Sequence, residues 1–193
     1  MLLETIAQPL LTYIRRYVEL SKQDVEAISN AYQIQSYKKG DFFIRQGDRI
    51  DEIAFVVEGV MRVYRESKGK EITLFLRDEN SFVTSITGYS GHHLSPYSVQ
   101  ALEDATLLVM SSEARQALFE QSIAYQRFSM MVLERTVQDM EVRIDSQIAD
   151  NAARRYLKLL QDHPSLIQRV PQYHLASYLG VTPESLSRLR KYL

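Results

Sequence analysis

Residues 171–193 read PQYHLASYLGVTPESLSRLRKYL and divide into two short helices around a tight turn. Pro171 suits the start of the first helix, because its missing N–H would have no intrahelical partner there. Leu175, Leu179, Val181, Leu186 and Leu189 are spaced to face inward across the pair. Ala176 is small where two closely crossing helices would touch. Gly180 ends the first helix, where a left-handed residue costs least. Thr182 caps the second helix and Pro183 occupies its first turn. This is the signature of a helix-turn-helix, whose second helix enters the major groove of DNA.

The outer side of the second helix carries Thr182, Glu184, Ser185, Ser187, Arg188 and Lys191, and these are the candidate DNA-binding residues. Glu184 and Arg188 sit four apart on one face. An arginine can hold guanine O6 and N7 together, and a glutamate can accept from cytosine N4–H. For an isolated pair, a solvated ion pair is the simpler reading. Here the pair lies on the helix that the Ala–Gly–Val–Thr pattern marks as a reader.

Charge supports the same end of the chain. The net charge of −1 divides unevenly: residues 152–193 hold Arg154, Arg155, Lys158, Arg169, Arg188, Arg190 and Lys191 against Asp162 and Glu184, a net +5, and the first 151 residues carry −6. Such asymmetry points to a nucleic-acid-binding end. The chain has 193 residues, 45% apolar and 24% charged, so it can bury a core as one large domain or two small ones. No apolar run is long enough to span a bilayer, and the N-terminus lacks the basic start of a signal peptide, which predicts a cytoplasmic protein. The absence of cysteine excludes disulfides, thiol redox sensing and Cys-ligated iron–sulfur clusters.

Upstream of the reader, Asp150 reads as a cap restarting a helix with Tyr156, Leu157, Leu159 and Leu160 on its buried side, ended by His163-Pro164. SLIQRV (165–170) then forms a short strand or turn. From about Ser122 to Ile148 the sequence predicts a long helix without Gly or Pro, whose apolar positions are Ile123, Phe128, Met131, Val132, Val142 and Ile144, not a strict heptad. It packs on its own barrel or pairs with a second copy, as a protein reading two half-sites requires. SSEARQALFEQ (111–121) is a shorter helix opened by a serine cap.

Between Ile34 and Met110 the texture is that of short strands: Phe42–Ile44, Ile53–Val57, Val60–Tyr64, Ile72–Leu76 and Thr106–Met110, divided by Gly40-Asp41, Gly47-Asp48, Glu58-Gly59 and Lys68-Gly69. That spacing predicts a small barrel or sandwich. No phosphate-binding loop or dinucleotide fingerprint occurs. The N-terminal stretch MLLETIAQPLLTYIRRYVEL is helical in pattern with a break or kink at Pro9, and Ser21 with Asp24 opens a second helix that buries Val25 and Ile28.

Barrel, long helix and helix-turn-helix, in that order, resemble the cyclic-AMP receptor/fumarate–nitrate regulator (Crp/Fnr) family of bacterial transcription factors over nearly the whole chain. The motifs that carry the resemblance are KKGDFFIRQGDRIDEIAFVVEGVMRVYR (38–65) and the 171–193 reader. The run YHLASYLGVTPESLSRLRK (173–191) is similar to members from Bacteroidetes-type bacteria. The resemblance implies an α+β fold: a jelly-roll-like, cyclic-nucleotide-binding-like antiparallel β-roll with flanking helices in residues 1–148, including a dimerisation helix over about 122–148, and a helix-turn-helix domain in 149–193. It implies a non-enzymatic homodimer on inverted-repeat operators, with double-stranded DNA, RNA polymerase and a small-molecule effector as partners. The family's reader helix carries Glu, often Ser three residues on, then Arg, which fall on Glu184, Ser187 and Arg188.

The family's cyclic-AMP pocket does not carry over. Its ribose-binding Gly-Glu pair is missing from DENSFVTSITG (78–88), Ser95-Pro96 stand in the place of its phosphate-binding Arg-Ser pair, and Asp139-Met140 replace the hydroxyl pair facing adenine. The resemblance therefore predicts no response to cyclic AMP, no resident cofactor and an unknown effector. Many members also continue past the reader helix; a sequence stopping at Leu193 implies a wing wholly before Pro171 or a trimmed end, with fewer phosphate contacts.

Two other classes compete with a DNA-binding regulator. One is an effector-binding roll whose C-terminal domain serves protein interaction, which the uncompensated basic charge of 152–193 disfavours. The other is a cupin-like enzyme, which needs a cluster of His and Glu ligands. The barrel region offers only His92 and His93, whose adjacent side chains point different ways, so no metal site and no catalytic residue is expected.

Overall fold

The capping pair foreseen at Ser21 and Asp24 closes as a reciprocal capping box at the start of α2 (Lys22–Ala31), with the Ser21 Oγ accepting from the Asp24 N–H. In the computed structural model, which describes residues 2–84 and 94–192, the Asp24 carboxylate also takes the Ser122 hydroxyl. Ser122 caps α4 (Ile123–Ala149), so one aspartate ties the entry of two helices together. α1 (Leu2–Ile14) runs through Pro9 rather than breaking there. Leu10, Leu11 and Ile14, beyond the proline, are completely buried. Burial of that apolar face outweighs the hydrogen bond that proline removes.

Eight strands follow: β1 (Gln33–Tyr37), β2 (Phe42–Ile44), β3 (Glu52–Glu58), β4 (Met61–Ser67), β5 (Lys70–Arg77), β6 (Phe82–Val83), β7 (Ser98–Ala101) and β8 (Ala105–Ser111). They pair antiparallel in two four-stranded sheets of order β1-β8-β3-β6 and β2-β7-β4-β5, a β-roll. Ile44, Ile50, Ala54, Val56, Met61, Val63, Val99, Leu107 and Val109 fill the space between the sheets. Alternate residues of β3 and β8 point the other way, where Phe55, Leu108 and Met110 meet α1, α2, α3 (Ser112–Gln121) and the first turns of α4. Tyr13, Phe55, Phe82 and Phe128 form a run of tilted and edge-on rings, 5.1–6.1 Å between neighbouring centroids, that pins α4 to the roll.

α4 departs from the expected apolar set. Phe128 is buried and Val132 packs against the same cluster, so both belong to the chain's own core. The exposed apolar residues are Ile123, Met130, Leu133, Val137, Val142, Ile144 and Ile148, with Met131 less so. Ile123, Met130, Val137 and Ile144 recur every seven residues, with Leu133 and the half-exposed Met140 between them. That is the a/d spacing of a coiled-coil seam, hidden in the sequence by the core residues interleaved with it.

The C-terminal helices are α5 (Ala152–Asp162), α6 (Pro164–Arg169), α7 (Gln172–Leu179) and α8 (Pro183–Tyr192). Asn151, not Asp150, caps α5, accepting from the Arg154 N–H at 3.0 Å. Asp150 instead ends α4, and its carboxylate takes Arg154 at 3.2 Å and Lys158 at 2.6 Å. Tyr156 and Leu159 are buried as expected, but Leu157 and Leu160 are exposed, because a helix this short turns one stripe inward. SLIQRV is helical, not a strand or turn: Pro164 opens α6 and Leu166 and Ile167 enter the core. No strand forms among the described residues after Ser111, so no wing precedes Pro171.

Candidate nucleic-acid interface

α7 and α8 are built as the sequence predicts, with Pro171 as the N-cap of α7 rather than its first helical residue. Gly180 adopts φ +70°, where the N–H of Val181 reaches back to the Ala176 carbonyl at 3.0 Å. Two arginines take the last carbonyls of α7: Arg143 donates to Tyr178 O and Arg155 to Leu179 O, each at 3.0 Å. Thr182 Oγ1 accepts the Ser185 N–H at 3.2 Å, the cap of α8. Leu175, Ala176, Leu179 and Leu186 are buried and Val181 packs against them, while Leu189 is half-buried.

The opposite side of α8 faces solvent. Glu184, Ser187, Arg188 and Lys191 are exposed along it, spaced three and four apart. Thr182 is exposed at its foot, and Ser185 is half-buried, with its hydroxyl 3.2 Å from that of Thr182. The two cap residues therefore engage each other, and four side chains remain pointing outward. Its own backbone N–H and then the Thr182 hydroxyl, helped by the Arg188 charge, hold the Glu184 carboxyl below the usual carboxylate range. It stays an acceptor, as a contact to cytosine N4–H requires.

The basic segment is less available than its charge implies. Arg154 and Lys158 are paired with Asp150, Arg155 is bound to backbone carbonyls, and Arg169 is clamped between Glu79 and Glu103. Arg188, Arg190 and Lys191, all on α8, remain exposed.

α7 lies against the roll. The Thr73 N–H of β5 donates to Ser177 Oγ at 2.9 Å, and that hydroxyl donates to Glu71 O at 3.2 Å. Beneath them Arg62 of β4 is almost fully buried, donating to Thr73 Oγ1 at 2.9 Å and to Glu71 Oε2 at 2.6 Å, with its guanidinium over the Tyr64 ring. His174 is buried beside this group. Desolvation first, then the Arg62 cation, pushes its pKa down to about 4, so the imidazole is neutral. Val60, Leu76 and Leu102 of the roll share one apolar cluster with Tyr156, Leu159, Leu166 and Leu175.

Comparison with known proteins places this architecture. Residues 34–122 match the cyclic nucleotide-binding domain. The chain is 24% identical over 188 residues to the transcriptional activator protein Anr of Pseudomonas protegens, covering 89% of this chain and 75% of that one. FixK2 from Bradyrhizobium japonicum superposes with a TM-score of 0.72 over 84% of each chain at 14% identity. A regulator assigned to the crp/fnr family, from Eubacterium rectale, gives 0.69 over 90% of this chain and 83% of that one, at 18% identity. The chain therefore carries a cyclic nucleotide-binding domain in residues 34–122 and shares the fold of regulators of the Crp/Fnr family.

Within the roll, the places where the resemblance sets the cyclic-nucleotide contacts are occupied otherwise. Ser95 is buried in a turn, its hydroxyl donating to Tyr97 O at 2.6 Å and accepting from the Tyr97 N–H at 3.1 Å. Asp139 pairs with Arg77 at 3.4 Å. His92, His93 and residues 85–88 lie outside the described residues. Among the described residues no cluster of His, Asp and Glu could hold a metal ion, and no helix is long and apolar enough to cross a membrane. A cleft of about 270 Å³ opens between α1 and α4, walled by Tyr13, Tyr17, Phe128 and Val132, with Arg135 bound to the Tyr17 hydroxyl.

The residues that sequence reasoning missed are those holding the reader to the roll: Arg62, Glu79, Glu103, Arg169, His174 and Ser177. None carries a local motif. A charged residue inside an apolar strand, as in VMRVY (60–64), was the one available signal.

Proposed function

We propose that this protein is a sequence-specific, DNA-binding transcription regulator that acts in the cytoplasm as a homodimer, without catalysis and without response to cyclic AMP. The outward row of Glu184, Ser187, Arg188 and Lys191 on α8 carries the reading, because it combines base-edge and phosphate chemistry on a helix free to enter a groove. The exposed α4 ladder of Ile123, Met130, Val137 and Ile144 supports pairing with a second copy, which sets two readers on one duplex. The turn at Ser95 and the Asp139–Arg77 pair support an effector other than cyclic AMP. In this reading residues 149–193 form the DNA-binding domain, and RNA polymerase is its partner on the promoter.

Selection of bound sites from a random duplex pool, with purified protein and no ligand, tests this directly. The expected product is an inverted repeat with half-sites about 10 base pairs apart, centre to centre. Absence of any enriched sequence overturns the reading. Sizing in solution should find a dimer that Val137→Asp or Ile144→Asp splits, with operator binding lost in parallel. A monomeric wild type that still binds the full site would exclude the pairing.

A further inference from the structure

We propose that Arg169 is a positioning residue: clamped between two turns of the roll, it fixes the orientation of the helix-turn-helix and so sets the one half-site spacing the dimer accepts. This inference rests on the dimeric DNA reading above and assigns it a structural determinant.

Arg169 lies in the last turn of α6, two residues before the cap of α7. Its guanidinium takes both oxygens of Glu79, Nη1 to Oε2 at 2.9 Å and Nη2 to Oε1 at 2.6 Å. Nε reaches Glu103 Oε1 at 3.0 Å, and Nη2 shares the same oxygen. Glu79 stands in the β5–β6 turn and Glu103 in the β7–β8 turn, so one planar fork joins two separate parts of the roll to the reader. Glu79 is itself held, because its Oε1 also accepts the Gly59 N–H at 2.9 Å. Gly59 lies close against the β7–β8 turn: a Cβ there would stand 2.6 Å from that of Ala105. All three groups are about one-third exposed or less, beside the apolar cluster of Val60, Leu76, Leu102 and Val170. Arg169 first, aided by the N–H groups of the turn and of Gly59, pulls the Glu79 carboxyl down to about 2. His163, at the α5–α6 junction, adds a looser contact to the neighbouring Asp78 at 3.8 Å.

A two-sided fork specifies direction as well as distance. A lysine would keep the charge and lose the direction. The arginine is turned away from phosphate by two carboxylates, so its contribution to DNA binding passes through the geometry of α7 and α8.

The test uses full-length protein, Arg169→Lys and, separately, Glu79→Gln with Glu103→Gln, which keeps shape while removing the clamp's charge. Binding is measured to a duplex with one half-site and to operators whose half-sites are moved apart by one and two base pairs. Wild type should prefer one spacing by about tenfold or more, since only that spacing lets both rigid readers engage. Both variants should flatten the preference to within about threefold and keep half-site affinity within about twofold, because the reading residues are untouched. Retention of the sharp spacing preference overturns the proposal. So does an equal loss on the half-site, which would make Arg169 a DNA contact or a general stabiliser. Hydrogen exchange on the free protein needs no DNA: the Thr73 amide, bonded to Ser177, should exchange faster in both variants while Leu107 and Leu108 stay protected. Unchanged Thr73 exchange overturns the clamp even where DNA reading stands. A wild type with no operator overturns the DNA reading and the spacing claim together, whatever the exchange shows.

Discussion

The two helices of the helix-turn-helix have opposite surroundings. α7 is held on several sides: Ser177 bonds to β5, His174 lies buried beside Arg62, and Arg143 and Arg155 take its last carbonyls. α8 packs chiefly on α7 through Leu186 and turns its charged side to solvent. Polar groups that hold the helices in place are paired and largely buried, whereas those proposed for recognition are left exposed. Arg169 and Arg188 show the contrast within one residue type: one is closed between two carboxylates, and the other stands on the outer face of α8.

Cutting the link between the two helices should have the largest effect. Leu186 is fully buried, and Leu186→Ala should remove about 2–5 kcal/mol of stability, read by denaturant unfolding. A loss below about 1 kcal/mol would mean that α8 does not depend on this contact.

Acid should loosen α7 next. His174 binds a proton only near pH 4 in the folded protein, against about 6.5 for an unperturbed histidine. The unfolded chain therefore takes up the proton first, and the contribution of neutral His174 is complete above about pH 6.5 and fades as pH falls toward 4. It amounts to about 3 kcal/mol at most. Denaturant unfolding at pH 7.5 and pH 4.5 should show a smaller loss in His174→Gln than in wild type; equal losses would remove His174 from the account. Glu79, lowered to about 2, adds a second decline below its ordinary range, reduced by its partial exposure to solvent.

On the outer face the effects are smaller and differ in kind. Arg188→Ala should cost about 1–3 kcal/mol on the cognate site and relax one G·C preference. Glu184→Ala should relax a neighbouring position. Lys191→Ala should weaken all sequences alike and lower the salt dependence by about one unit of slope, as loss of a phosphate contact does. If Arg188→Ala and Lys191→Ala gave the same sequence-independent loss, Arg188 would be a phosphate anchor and not a reader.

The effect of neighbours on sequence reading is clearest in α4 and α6. Phe128 and Val132 belong to the roll's core, and only their removal from the pattern exposes the heptad of Ile123, Met130, Val137 and Ile144. Two overlapping periodicities on one helix blur each other in a linear string. In α6, β-propensity in LIQRV outweighed Pro164, whose place at a helix start is the local signal that mattered. The edge strand β1 (QIQSY) and the two-residue β6 are too polar or too short to announce themselves.

Taken alone, the sequence determined the order of parts, the short strands of a small barrel or sandwich, the caps at Ser21 and Ser111, the turn at Gly180 and the inward leucines of the reader pair. Each depends on residues within a few positions of one another, where backbone preference and periodicity act directly. Tertiary structure alone decided which cations remain exposed and how the reader is held. Arg169 meets Glu79 and Glu103 from 90 and 66 positions away, and Thr73 meets Ser177 across 104. No local pattern encodes such pairings. They exist because burial brings distant polar groups together and leaves them unsatisfied unless they find each other.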